Sequence, residues 1–133
     1  MIRAYERYDF RLACAPVSLA TATASTPIWL DAENAYEAAV SVAHAQIASG
    51  KKLVVELYES DASDGTGAEK VGSAEKTFTA AEAGVYTVSH RRKPGCKRYI
   101  GVKVTQDTGA AVILSATVLL DCPGKPSGDG TEI

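Results

Sequence analysis

A chain of 133 residues with fourteen basic and sixteen acidic side chains, formal net charge −2, is one domain's worth of protein and no polycation. That balance argues against a nucleic-acid binder, which shows an excess of positive charge over one face, and no apolar run is long enough to span a membrane. Three cysteines without Cys-x-x-Cys spacing (Cys14, Cys96 and Cys122) form neither a disulfide framework nor a zinc motif and read as reduced thiols.

At the N-terminus, Arg3, Arg7 and Arg11 precede "LACAPVSLATATAS", an outline that resembles a secretory signal. Glu6 and Asp9 among the arginines, Pro16 in the apolar stretch and the many threonines argue against one. We read residues 1–14 as an arm. Its alternation of aromatic and charged residues makes Tyr5, Tyr8 and Phe10 the first candidates for a protein-contact surface.

Fainter strand patterns follow in "PVSLAT" and "TPIWLD". The next segment is disputed. "DAENAYEAAVSVAHAQIAS" is rich in Ala and Glu, and Asp31 is a plausible helix N-cap. Yet "AAVSVAHAQI" alternates, so we place a turn over residues 31–36 and a strand over about residues 37–46, with Val40 and Val42 inward.

"KKLVVELYES" alternates clearly, with Leu53, Val55 and Leu57 on one face. A loop, "SDASDGTGAE", precedes short strands in "EKTFT" and "GVYTVSH", separated by a turn in "AEAGV". "RYIGVKVTQ" puts Ile100, Val102 and Val104 inward. "AVILSATVLLD" does the same for Val112, Leu114, Ala116, Val118 and Leu120. The other face of that last strand, Ile113, Ser115, Thr117 and Leu119, is mixed, as expected of a strand covered on both sides near its ends. Turn signals roughly every dozen residues suit a sandwich or barrel of short strands. The tail, residues 123–133, has little to bury and is expected to be mobile.

No catalytic motif emerges. His44 lies in a strand pattern as a core or interface residue, and His90 opens a basic loop, where we expect it solvated. Neither has a partner at metal-ligand spacing. Cys96 sits among cations that would activate a thiol, but "PGC" is ordinary turn chemistry. Glu59, Asp61 and Asp64 with Gly65 miss the calcium-loop pattern and read as a solvated loop. Phosphate-loop, dinucleotide, nucleophile-elbow and zincin signatures are missing. We expect no enzyme and no cofactor.

"RRKPGCKRY" concentrates Arg91, Arg92, Lys93, Lys97 and Arg98 in an acidic chain. We expect a hairpin turned by Pro94 and Gly95 at one end of the fold, either a solvated turn or a contact with carboxylates of an acidic protein surface or of another subunit.

The order of these segments carries a resemblance. "VSLATATASTPIWLD", "AAVSVAHAQIASGKKLVVELYESD", an acidic loop, "PGCKRYIGVKV" and "VILSATVLLD" together resemble the small jelly-roll capsid cement (decoration) proteins of tailed bacteriophages, over about residues 16–121. The ends depart from that pattern. The resemblance implies an all-β, jelly-roll-like antiparallel β-sandwich, one domain over residues 15–122. It implies a structural virion protein on the capsid exterior, made in the host cytoplasm, that bridges and stabilises capsid subunits. Its partners would be the major capsid protein and itself, as homodimer or homotrimer, without direct contact to nucleic acid or membrane. The family carries no common catalytic set, so no site residues transfer. The competing class is a β-sandwich module that recognises carbohydrate or a receptor. Trp29 in "PIWLD", the one Trp available as a sugar platform, is expected to pack in a core or under a loop instead.

Overall fold

Period-two alternation over the longer segments dictates strands. The computed structural model, which describes residues 8–121, contains no helix among them. The strands are β1 (Tyr8–Leu19), β2 (Leu30–Asp31), β3 (Glu37–Ile47), β4 (Lys52–Ser60), β5 (Glu69–Thr77), β6 (Glu82–Arg91), β7 (Tyr99–Gln106) and β8 (Val112–Asp121). One sheet, A, has the order β1-β8-β3-β6 and the other, B, the order β2-β7-β4-β5, with antiparallel pairing throughout. Every connection crosses between the sheets except the β4–β5 hairpin. This is the eight-stranded jelly roll, two Greek-key sheets packed face to face.

The eleven residues that alternation places inward on β4, β7 and β8 (Leu53, Val55, Leu57, Ile100, Val102, Val104, Val112, Leu114, Ala116, Val118 and Leu120) are all buried. The disputed segment is a strand: Ala38, Val40, Val42 and His44 point inward from β3. Tertiary pairing on both sides, to β6 and β8, overrides its helical propensity. His44 is a satisfied core residue, its Nδ1 2.9 Å from the Ala45 carbonyl and its ring edge-on to Phe78 at 5.3 Å.

Several boundaries differ from those expected. The arm expected over residues 1–14 is sheet from Tyr8 onward, because Tyr8–Leu12 pair in register with β8. The boundary at residues 14/15 therefore falls inside β1, and Tyr5 lies outside the described residues. Pro16, which seemed to interrupt the segment, sits where β1 shifts register between Cys14 and Val17. An edge strand tolerates the missing N–H. "TPIWLD" contributes only the two residues of β2. "AEAGV" is no turn: β6 already begins at Glu82, and Gly84 stands opposite His44. The tail over residues 123–133 lies outside the described residues.

The ends of the sandwich are closed by polar residues. At one, buried Gln106 donates to the carbonyls of Leu19 (2.9 Å) and Ala110 (3.2 Å) and accepts from the Thr108 N–H (2.6 Å). The other end carries the basic loop.

Candidate interaction surfaces

The basic loop joins β6 in sheet A to β7 in sheet B, so it is a crossover and not the expected hairpin. Its tip is a type II turn: Cys96 N–H donates to the Lys93 carbonyl at 3.1 Å, Pro94 presets the first corner, and Gly95 takes φ +80°.

Arg92 does not belong to the exposed charge. Its side chain is 2% exposed and that of Glu59 is 5% exposed, with Nη2 3.8 Å from Oε2. The guanidinium also donates to the carbonyls of Ala32 and Lys97, and Glu59 accepts the Lys97 N–H at 2.8 Å. Arg92 thus ties β4, the β2–β3 connection and the β6–β7 loop into one closed end. Strand parity explains the placement. Glu59 continues the inward series Leu53, Val55, Leu57, and Arg92 continues Tyr86, Val88, His90. A buried charge in an apolar interior persists only with a partner, and each supplies the other's. Glu59 is therefore no part of a solvated acidic loop, and the carboxylate expected across a subunit contact lies within the same chain.

The remaining cations divide. Lys97 Nζ reaches Glu69 at 3.5 Å. Arg98 grips Asp31 through two bonds, Nη2 to Oδ2 at 2.8 Å and Nε to Oδ1 at 3.1 Å, with Glu33 at 3.6 Å. The Asp31 bonds, then the charges of Asp31 and Glu33, push the Arg98 value further up. Arg91 and Lys93 make no ion pair among the described residues. Beside them a cleft of about 390 Å³ is lined by Glu59, Glu69, His90, Lys93, Cys96 and Lys97, among others. His90 is half-buried there on the inward side of β6, not solvated as expected. No hydrogen bond joins it to the exposed Cys96 thiol. Cys14 is buried, which holds its thiol above the ordinary range against a smaller opposing hydrogen bond from Ser25. Cys122 lies outside the described residues.

The outer faces of the two sheets differ in kind. On sheet B, the rows Thr105–Val54–Glu75, Lys103–Glu56–Ser73 and Gly101–Tyr58–Lys70 are charged. They are also internally paired: Lys70 with Glu56 at 3.3 Å, Lys52 with Glu75 at 3.4 Å, and Lys103 over the Tyr58 ring at 4.5 Å. Tyr58 donates to Glu56 at 3.0 Å, a bond that raises the phenol above its usual range. On sheet A, the rows Phe10–Leu119–Ala39–Ser89, Leu12–Thr117–Ser41–Thr87 and Ser115–Ala43–Val85 contain no charge. Phe10 (46%), Leu12 (48%), Ile113 (63%) and Val85 (64%) are exposed there. Ile113, which the pattern of β8 placed on a covered face, is open to solvent in the single chain. Of the aromatic candidates, Phe10 stands on this face, and half-buried Tyr8 lines a hollow at its end.

Trp29 is held under the β4–β5 loop. A Cβ at Gly65 would come within 2.1 Å of its indole and one at Gly101 within 2.8 Å. Only glycine lets the backbone approach so closely, and Gly65 needs its φ of +83° as well. This ring is packed, not a free platform for sugar stacking. Asp64 fixes the same loop by accepting the Thr66 N–H at 2.9 Å, and the hydrogen bonds from Thr66 hold its carboxyl below the usual range. Among the described residues, no group of three His, Cys, Asp or Glu could hold a metal ion.

No protein-family model and no curated protein matches the sequence. Solved structures do match in fold. The PBSX exported protein XepA superposes with a TM-score of 0.61 at 9% identity, over 99% of this chain and 42% of its own. This chain thus spans less than half the length of XepA. Two further matches are a Bacillus endospore appendage pilus protein and a Clostridium thermocellum xylanase (Xyn10B, CBM22-1–GH10 modules). The pilus protein gives TM-score 0.46 and 12% identity over 89% of this chain and 90% of its own. The xylanase gives 0.47 and 11% over 96% and 27%. At these identities the likeness to XepA speaks for the β-sandwich fold alone.

Proposed function

We propose that the protein is a structural component of a tailed-phage virion. It binds the outside of the assembled icosahedral capsid and stabilises it by bridging neighbouring capsid subunits. It is no enzyme in this reading and needs no cofactor. Supporting the role is the division of its polar groups. Glu59, which lines the cleft beside the basic loop, is spent with Arg92 on closing the fold, while Arg91 and Lys93 make no ion pair among the described residues. A docking protein needs uncommitted charge at its rim and no acid–base pair aimed into a pocket. Many copies on one shell convert such modest single contacts into firm attachment.

The test is sedimentation of the purified protein with phage heads that lack it. The reading expects saturable uptake at a fixed stoichiometry and heads that resist heat better once coated. Replacing Arg91 and Lys93 together by Ser should weaken uptake at low salt, the difference fading at high salt. Arg92 is left intact, since its role is internal. Heads that take up no protein would contradict the proposal, and saturable binding on a glycan array instead would favour the carbohydrate-recognition class.

A further inference from the structure

The outer face of sheet A raises a question that neither the fold nor the capsid reading answers: what covers it. Three consecutive rows across all or most of four strands carry no charge, in a chain where 23% of residues are charged. Among the described residues, charge returns at one end of the face, in the row that holds the Glu37–Arg91 and Tyr8–Asp121 pairs. The sequence of β8 already has the character of a strand covered on both sides, yet the single chain covers one.

Relief along the face is uneven in a useful way. Ile113 and Val85, the most exposed aliphatic side chains of the face, project at the end where β8 begins. Toward the other end lies a hollow of about 310 Å³ lined by Tyr8, Glu37, Ala39, Leu119 and Asp121. The six residues from Ile113 to Leu119 put roughly 20 Å between projection and hollow.

We infer that this face pairs with the same face of a second copy about a two-fold axis, the Ile113 and Val85 projection of each copy seating toward the Ala39–Leu119 hollow of the other. Three observations select a second copy. A two-fold contact requires a self-complementary surface, and a face with a projection at one end and a hollow at the other is one when turned end for end. The three uncharged rows are also matched by themselves in charge, whereas sheet B's face would leave its Lys and Glu side chains to be desolvated against them. The area suffices as well. Four strands of about ten residues cover roughly 600 Å² in plan, which side-chain relief carries toward the about 800 Å² each partner loses in a standard-size interface. The inference does not rest on capsid binding, and it is tested on the purified protein alone.

Sedimentation equilibrium of the full chain should give a dimer at micromolar concentration. Ile113→Asp and Val85→Asp, both at exposed positions, should each weaken dimerisation at least about tenfold. Ala39→Phe, which fills the hollow, should also weaken it, while the control Thr105→Asp on sheet B should leave it unchanged. Circular dichroism of each variant should keep the β signature of the parent. A parent that stays monomeric, a trimer, or a dimer indifferent to the sheet A substitutions would each overturn the inference.

Discussion

Sheets A and B are built from the same four-strand plan, and their inner faces are alike in being apolar. Their outer faces are not. Sheet B meets water with lysines and glutamates that pair along and across the strands, and a tyrosine that serves both a carboxylate and a cation. Sheet A presents alanine, serine, threonine and a few large aliphatics, with a neutral side-chain bond between Ser41 and Thr87 at 3.0 Å. Burial on one side of a strand is dictated by the fold. The character of the other side reports what lies against it, and on sheet A that is not the signature of bulk water.

If that division by side is right, neighbours on one strand should answer to mutation very differently. The largest effect belongs to the basic end, where the inward series ends in charge. Arg92→Ala should cost about 3–5 kcal/mol, because it strands the buried Glu59 carboxylate, while adjacent Arg91→Ala should be near neutral. Urea denaturation of the two variants measures both. Equal effects would erase the distinction between the two arginines.

Next comes β8, where Leu114→Ala should destabilise by about 2–4 kcal/mol through lost burial and a cavity. Ile113→Ala, one residue away, should change the unfolding of the dilute protein by no more than about 0.5 kcal/mol. A similar loss at both positions would mean that the outer face is packed within the single chain. On sheet B, Glu56→Ala removes the partner of Lys70 and Tyr58 at the surface and should cost only about 0–1 kcal/mol, diminishing as salt rises.

The smallest effect is one of pH. The Asp64 carboxyl is depressed by its bonds from Thr66. It should therefore contribute stability that is present above the ordinary aspartate range and is lost as pH falls through its lower folded value. Trp29 lies under this loop and reports on it. Acidification should shift Trp29 fluorescence in the parent, and Asp64→Ala should show the shifted emission already at neutral pH.

Most of the fold was legible because alternation is a local property. The eleven inward residues of β4, β7 and β8 could be read directly, and so could the strand character of β3 against its propensity. Two things could not. Residues 8–14 pair with β8 from the far end of the chain, a non-local contact without a local signature. Arg92 and Glu59 look like surface charge by residue type. The parity that carries them inward is visible only when the series Leu53, Val55, Leu57 and Tyr86, Val88, His90 are extended past the last apolar residue. The topology that turns the expected hairpin at Pro94 and Gly95 into a crossover is likewise set by which sheet each strand joins.

The claim that the two outer faces do different work is tested most directly by side-chain footprinting of the purified protein at low and high concentration. As concentration rises, the account predicts falling label uptake at Phe10, Leu12, Val85 and Ile113, and constant uptake at Val54 and Tyr58. Uptake on sheet A that is independent of concentration, or that falls equally on both sheets, would contradict it.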